Sequence, residues 1–158
     1  MSDAAMRMEG TADPPVEFGG HDAPASGSKA ISVVIVTPEA TVLETKADFV
    51  ALPLFDGELG VAPLHAPMIG RLGYGELRIV RSGKTERYYI DGGFVQVADN
   101  VVSVLTDRAA PAGSLDLKTS QERLEEAHAR PSNTPELFAA RERDELRARA
   151  QLRVASKN

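Results

Sequence analysis

Glu76-Leu-Arg-Ile-Val-Arg-Ser-Gly-Lys-Thr-Glu-Arg-Tyr-Tyr-Ile90 is the stretch on which the fold turns. Side chains of an extended chain alternate between faces, so Leu77 and Ile79 share one side of Glu76–Arg81 while Glu76 and Arg78 take the other. Ser82-Gly83 predicts a hairpin turn into a second strand, Lys84–Ile90. Further along, Asp91-Gly92-Gly93 is expected to break that strand before Phe94–Ala98 resumes it, and Asp99-Asn100 to turn the chain into Val101–Thr106.

Upstream, Ile31-Ser-Val-Val-Ile-Val36 is nearly all β-branched and stops at Thr37-Pro38-Glu39, because proline has no N–H to donate to a ladder. Thr41–Glu44 and Ala47–Leu52 read as further short strands. Short strands at this spacing, punctuated by Gly and Asp/Asn, predict a sandwich or barrel. Several are apolar on both faces, which suits two packed sheets better than one open sheet.

After Pro111 the texture becomes helical. Ser114 is expected to cap a helix that carries Asp116 in its first turn, runs to about Ala129 and stops at Pro131-Ser132-Asn133. Thr134-Pro135-Glu136 supplies a hydroxyl cap, a proline at the first position and an early acid for a second helix reaching Val154. The short turn between them predicts an antiparallel hairpin. Its seam offers only Leu117, Leu124 and Ala127 against Leu137, Phe138, Ala148 and Leu152, so it should hold weakly. On composition alone that describes either a solvated appendage or an element able to move.

The expected organisation is therefore a disordered extension over residues 1–29, a β domain over 30–110 and a helical hairpin over 111–158. The extension is rich in Gly, Ala, Pro, Ser and Asp, with too few large apolar residues to offset ordering. A rival reading makes Val16–Phe18 a recognition segment that folds on a partner.

Composition excludes several functions. A net charge of −5 argues against broad nucleic-acid binding, which needs clustered cations. Without cysteine there is no disulfide framework, thiol nucleophile or Cys-ligated zinc. No apolar run is long enough to span a bilayer, so membrane association is expected only through a partner. His21, His65 and His128 show no metal-ligand spacing, and no Walker loop or nucleophile elbow occurs. Asp56 and Glu58 are available as an acid/base pair, yet exposed carboxylates in a glycine-flanked turn are ordinary.

One segment stands apart. Asp56-Gly-Glu-Leu-Gly-Val-Ala-Pro-Leu-His-Ala-Pro-Met68 sets glycines and prolines at fixed offsets among apolar residues, which predicts an irregular backbone instead of a plain strand. It reads equally as a binding loop on a rigid scaffold and as a structural corner in which His65 satisfies a backbone carbonyl.

Gly57–Met68 resembles the GELGVxPGHAP signature of the epsilon subunit of bacterial F-type rotary ATP synthases. Thr37-Pro38-Glu39, Gly75–Ile79, Asp91–Phe94, Val101–Asp107, Leu115-Asp116 and Ala150–Val154 follow in that family's order, so the likeness spans Ile31–Val154. The resemblance implies a ten-stranded β-sandwich with a C-terminal antiparallel two-helix hairpin. It implies a non-catalytic stalk subunit without cofactor or metal, joined to gamma and the c ring, at the cytoplasmic face of the inner membrane. Such a subunit takes part in ATP synthesis driven by proton transport. By analogy Gly57, Glu58, Leu59, Gly60, His65, Ala66 and Pro67 form the loop facing the c ring and gamma.

In related subunits the hairpin either folds against the sandwich or opens and extends into the alpha/beta catalytic head, where it restrains ATP hydrolysis. Arg141, Arg143, Arg147, Arg149 and Arg153 would then meet acidic segments of the beta subunit. Some relatives bind ATP through an Ile/Leu-Asp-x-x-Arg-Ala motif. Here Leu115, Asp116, Thr119 and Ser120 occupy its positions, with Thr119 in place of the arginine. Losing that bidentate anion clamp implies weak or absent ATP binding. The alternatives weighed are a stand-alone carbohydrate- or peptide-binding sandwich, which the absence of Trp disfavours, a small hydrolase using Asp56, Glu58 and His65, and a subunit of a sodium-translocating synthase.

Overall fold

The protein is described by a computed structural model covering residues 30–158; the expected disordered extension, and the recognition segment within it, lie outside the described residues. Eight strands are followed by two helices: β1 (Ile31–Val36), β2 (Thr41–Ala47), β3 (Phe49–Leu54), β4 (Gly57–Val61), β5 (Met68–Arg81), β6 (Lys84–Ala98), β7 (Val101–Leu105), β8 (Ala109–Pro111), α1 (Leu117–Ala129) and α2 (Pro135–Ala155). The sheet order is β2-β1-β7-β6-β5-β3-β4, with β8 also paired to β6. Among the described residues only β1 and β7 pair in parallel.

The expected ten strands are eight, because β5 and β6 run unbroken through both layers of the sandwich. Met68–Leu72 pairs with Val97–Gly93, and after a bend Tyr74–Arg81 pairs with Asp91–Lys84. The first part joins β7 and through it β1 and β2; the second joins β8 and the start of β3, which carries β4, while Leu54 at the end of β3 pairs with Leu72 of the first part. Asp91-Gly92-Gly93 therefore bends β6 without ending it. Gly92 and Gly93 have φ of 67° and 105°, values that let the backbone turn between layers at a position L residues adopt with strain.

The two layers close on one core. Ile31, Val33, Ile35, Val95, Val102 and Val104 come from one side; Val50, Leu52, Leu77, Ile79 and Ile90 come from the other. Each contributes roughly 1.5–3 kcal/mol by leaving water. The expected irregular backbone at Gly57–Val61 is instead strand β4, paired to β3; only Ala62–Pro67 is irregular. Gly60 serves packing there, since a Cβ would lie 2.9 Å from Cζ of Phe49.

Helix α1 begins two residues later than Ser114 suggested. Residues Ala112–Ser114 form a short 3-10 turn in which Ser114 Oγ donates to the Pro111 carbonyl. Asp116 is the cap, accepting from the Thr119 N–H at 2.8 Å. Thr134 and Pro135 open α2 as their chemistry predicts. The antiparallel pairing of α1 and α2 is held by Arg123 to Gln151, His128 to Glu145 and Arg130 to Asp144. As expected the seam is thin: its buried residues are small or polar (Ser120, Ala127, Ala148 and Gln151), while Leu117, Leu137 and Phe138 stay exposed.

Candidate functional site

Two regions carry the sequence-predicted residues: the corner after β3, and the face where the hairpin lies on the sandwich.

At the corner, Glu58 is pinned by Arg78, Nη2 to Oε1 at 2.6 Å. Leu59 packs against the core, while Gly57, Gly60, Ala66 and Pro67 face outward. The His65 ring meets the Ala66 carbonyl through Nδ1 at 2.8 Å, and the His65 main-chain N–H donates to the Ala62 carbonyl. Among the described residues no hydrogen bond joins Asp56, Glu58 and His65.

The corner contains one strained residue. Leu64 sits at φ 66°, its side chain 86% exposed, and its N–H donates to Asn100 Oδ1 at 2.7 Å. A left-handed non-glycine residue costs roughly 1–2 kcal/mol, against about 0.5–1 kcal/mol of chain entropy for glycine. Leu64→Gly is therefore expected to raise stability by about 0.5–1 kcal/mol, and β-branched Leu64→Ile to lower it by a similar amount. Urea unfolding midpoints would read both; equal midpoints would refute the strain.

Beside the corner the sandwich leaves apolar side chains uncovered. Phe94 and Leu105 are direct cross-strand partners, Arg71 lies opposite Phe94, and Ile69 is two residues away on the same face. Ile69 is 76% exposed, and Phe55, Phe94 and Leu105 are each more than half exposed. The Arg71 guanidinium lies 4.4 Å over the Phe55 ring. Clustered exposed apolar residues of this kind mark an interaction face.

A hairpin folded on the sandwich is one of the two states the resemblance implies, but the residues that seat it were not anticipated. A second apolar cluster, Tyr89, Ala112, Leu115, Ala150, Val154 and Ala155, with Tyr74 at its edge, seats α2 on β5 and β6. One signal was available: Tyr88-Tyr89-Ile90 is apolar on both faces of its strand, as a strand covered on both sides should be. Two ionic contacts flank this cluster. Asp91, its side chain 9% exposed, accepts from Arg147 Nε at 2.7 Å and from the Tyr89 hydroxyl at 3.3 Å. Arg87 holds Glu76 at 2.6 Å and also donates to the carbonyls of Lys157 and Val154, at the end of α2.

Electrostatics follow from this packing. Burial, then the adjacent Asp91 charge, pushes the Tyr89 phenol up. Burial also works against the Arg147 charge, but Asp91 more than offsets it and the guanidinium is held more firmly protonated. Bonds from the Thr119 N–H and hydroxyl hold the Asp116 carboxyl below its ordinary range.

The five arginines of α2 thus differ. Arg147 is engaged by the sandwich, Arg141 and Arg149 hold Glu145 on their own helix, and Arg143 and Arg153 are exposed without an ion pair among the described residues. A cleft of about 330 Å³ opens beside Arg147, lined by Arg108, Arg123, Arg130, Asp91, Glu126 and Asp144. Leu115, Asp116, Thr119 and Ser120 do not line it; Asp116 and Thr119 are occupied in capping α1.

Residues 30–112 match the family model described as ATP synthase, Delta/Epsilon chain, beta-sandwich domain. The ATP synthase epsilon chain of Rhodopirellula baltica is 54% identical over 126 residues, covering 80% of this chain and 98% of that one. That of Nitratidesulfovibrio vulgaris is 35% identical over 127 residues, covering 80% and 91%. A chain in the Euglena gracilis mitochondrial ATP synthase OSCP/F1/c-ring structure superposes with a TM-score of 0.73 at 25% identity, covering 92% of this chain and 99% of that chain. A chain in the Tetrahymena thermophila central stalk/c-ring structure shares the fold, with a TM-score of 0.64 at 15% identity, covering 81% and 97%.

Proposed function

The chain belongs to the epsilon-chain family of the F-type ATP synthase, and on that premise we propose that it is a non-catalytic central-stalk subunit joining gamma to the c ring during proton-driven ATP synthesis. The observation that carries this reading is the uncovered apolar face at Ile69, Phe94 and Leu105 beside a stiff corner. A torque-bearing joint needs an apolar docking face on a scaffold that does not yield. In this reading the corner at Gly57, Glu58, Leu59 and Gly60 meets the polar loops of the c ring, and His65, Ala66 and Pro67 lie toward gamma. No helix of the described residues is long and apolar enough to cross a membrane, which fits peripheral attachment at the cytoplasmic face of the inner membrane through the complex.

The hairpin is the regulatory part. It is expected to leave the sandwich, enter the alpha/beta head and restrain ATP hydrolysis, with Arg141, Arg143, Arg147, Arg149 and Arg153 meeting acidic segments of beta. Its thin seam and small docking cluster suit an element whose two packings differ by only a few kcal/mol. Removing Ala112 onward should raise ATP hydrolysis by the assembled complex several-fold while gamma still co-purifies; an unchanged rate would end the inhibitory reading. ATP binding to the isolated chain is expected to be weak or absent, because Thr119 lacks a guanidinium and is tied to Asp116. Micromolar affinity by calorimetry would contradict this.

A further inference from the structure

The hairpin is docked through its second helix. Ala150, Val154 and Ala155 of α2 enter the cluster on the sandwich, and α1 contributes no residue to it. Among the described residues Arg147 to Asp91 is the ion pair that joins α2 to the sandwich, and the two partners are unequally placed. Asp91 is almost fully covered, whereas the Arg147 side chain keeps 39% of its surface in water and has the Tyr74 ring 5.4 Å below. Other charged groups around the pair are Arg108 on the sandwich, Arg123, Glu126 and Arg130 on α1, and Asp144 on α2. Asp144 lies 3.9 Å from Arg147 but is already held by Arg130.

We infer that Arg147 is a two-position residue: docked, it is the counter-ion that closes the hairpin over Asp91, and released, the same guanidinium is the group that meets an acidic segment of the catalytic head. Docking and inhibition then compete for one side chain. The physical basis is the asymmetry of the pair. Undocking returns the Asp91 carboxylate to water, while a docked hairpin without Arg147 would leave that carboxylate covered without its ion-pair partner, the costlier arrangement. The second half of this inference rests on the inhibitory role proposed above; the first half does not.

Two measurements separate them. In the isolated full-length chain, amide exchange of α2 should speed up roughly tenfold or more in Asp91→Asn and in Arg147→Gln, as expected for loss of a charge-assisted hydrogen bond. Exchange in β1 and β7 should be unchanged in both, showing that the sandwich is intact. Arg147→Lys keeps the charge without the planar fork and should fall between. Unchanged α2 exchange in both variants would overturn the latch.

In the assembled complex, Asp91→Asn frees Arg147 and should deepen inhibition of ATP hydrolysis. Arg147→Gln loosens the hairpin equally and should not deepen it. Equal inhibition by both variants would overturn the shared-residue step while leaving the latch supported. If removing the tail leaves hydrolysis unchanged, the regulatory reading and the competition fall together, and exchange alone judges the latch.

Discussion

Gly93→Ala is expected to destabilise the sandwich by at least about 4 kcal/mol, a large part of the ~5–15 kcal/mol by which domains of this size are stable. A Cβ at this position would lie 1.9 Å from the Leu105 carbonyl oxygen and 2.8 Å from Thr106 Cα. Both are main-chain atoms, so no side-chain rotation relieves the overlap. The φ of 105° adds left-handed strain of roughly 1–3 kcal/mol. Relief would require β7 to move away from β6 where Phe94 pairs with Leu105. It would also disturb the Asp91 N–H, which bonds the Arg108 carbonyl and Thr106 Oγ1. Gly92→Ala is the control. Its φ is 67° and a Cβ would meet only the Tyr74 ring at 3.5 Å, an ordinary contact, so about 1–2 kcal/mol is expected. Urea unfolding followed by far-ultraviolet dichroism distinguishes the two; equal shifts would show that β7 yields easily.

Val154→Asp should release the hairpin and leave the sandwich folded. Val154 is 1% exposed among Tyr89, Ala150 and Ala155, so a carboxylate there would be covered. Arg87, which donates to the Val154 carbonyl at 3.4 Å, and Lys157 are both already paired with Glu76. An unpaired buried charge costs several kcal/mol, more than a cluster of six mostly small residues is expected to return on docking. The chain escapes that cost by undocking, so the penalty is capped at the docking free energy and does not reach the core. Trypsin should then cut the arginine-rich α2 at least about tenfold faster, with little change in the melting temperature of the sandwich. Leu146→Asp, on the exposed side of α2, should leave cleavage nearly unaltered. A large fall in melting temperature with Val154→Asp would mean that sandwich and hairpin unfold as one unit.

These expectations show which features were open to local reading. The β5–β6 hairpin was legible because Ser82-Gly83 and the alternation of Leu77 and Ile79 act within a few residues. So was the start of α2, where Thr134 and Pro135 satisfy the first turn themselves. Ser114 misled because two candidate caps stand two residues apart, and only the 3-10 turn after Pro111 decides between them. The strand count misled because Gly92-Gly93 carries the same local signal whether it ends a strand or bends one. Pairing with β5 on both sides of the bend keeps β6 continuous.

By itself, then, the amino-acid sequence determined the element types, most turns, the capped second helix and the family, since periodicity, cap chemistry and short motifs are local properties. The tertiary structure alone decided that the hairpin is docked, that Tyr89 is covered on its outer face, and that Arg147 answers to Asp91. Those two residues are 56 positions apart. Nothing in the neighbourhood of either names the other; only the chain's return of α2 across β6 brings the guanidinium to the carboxylate.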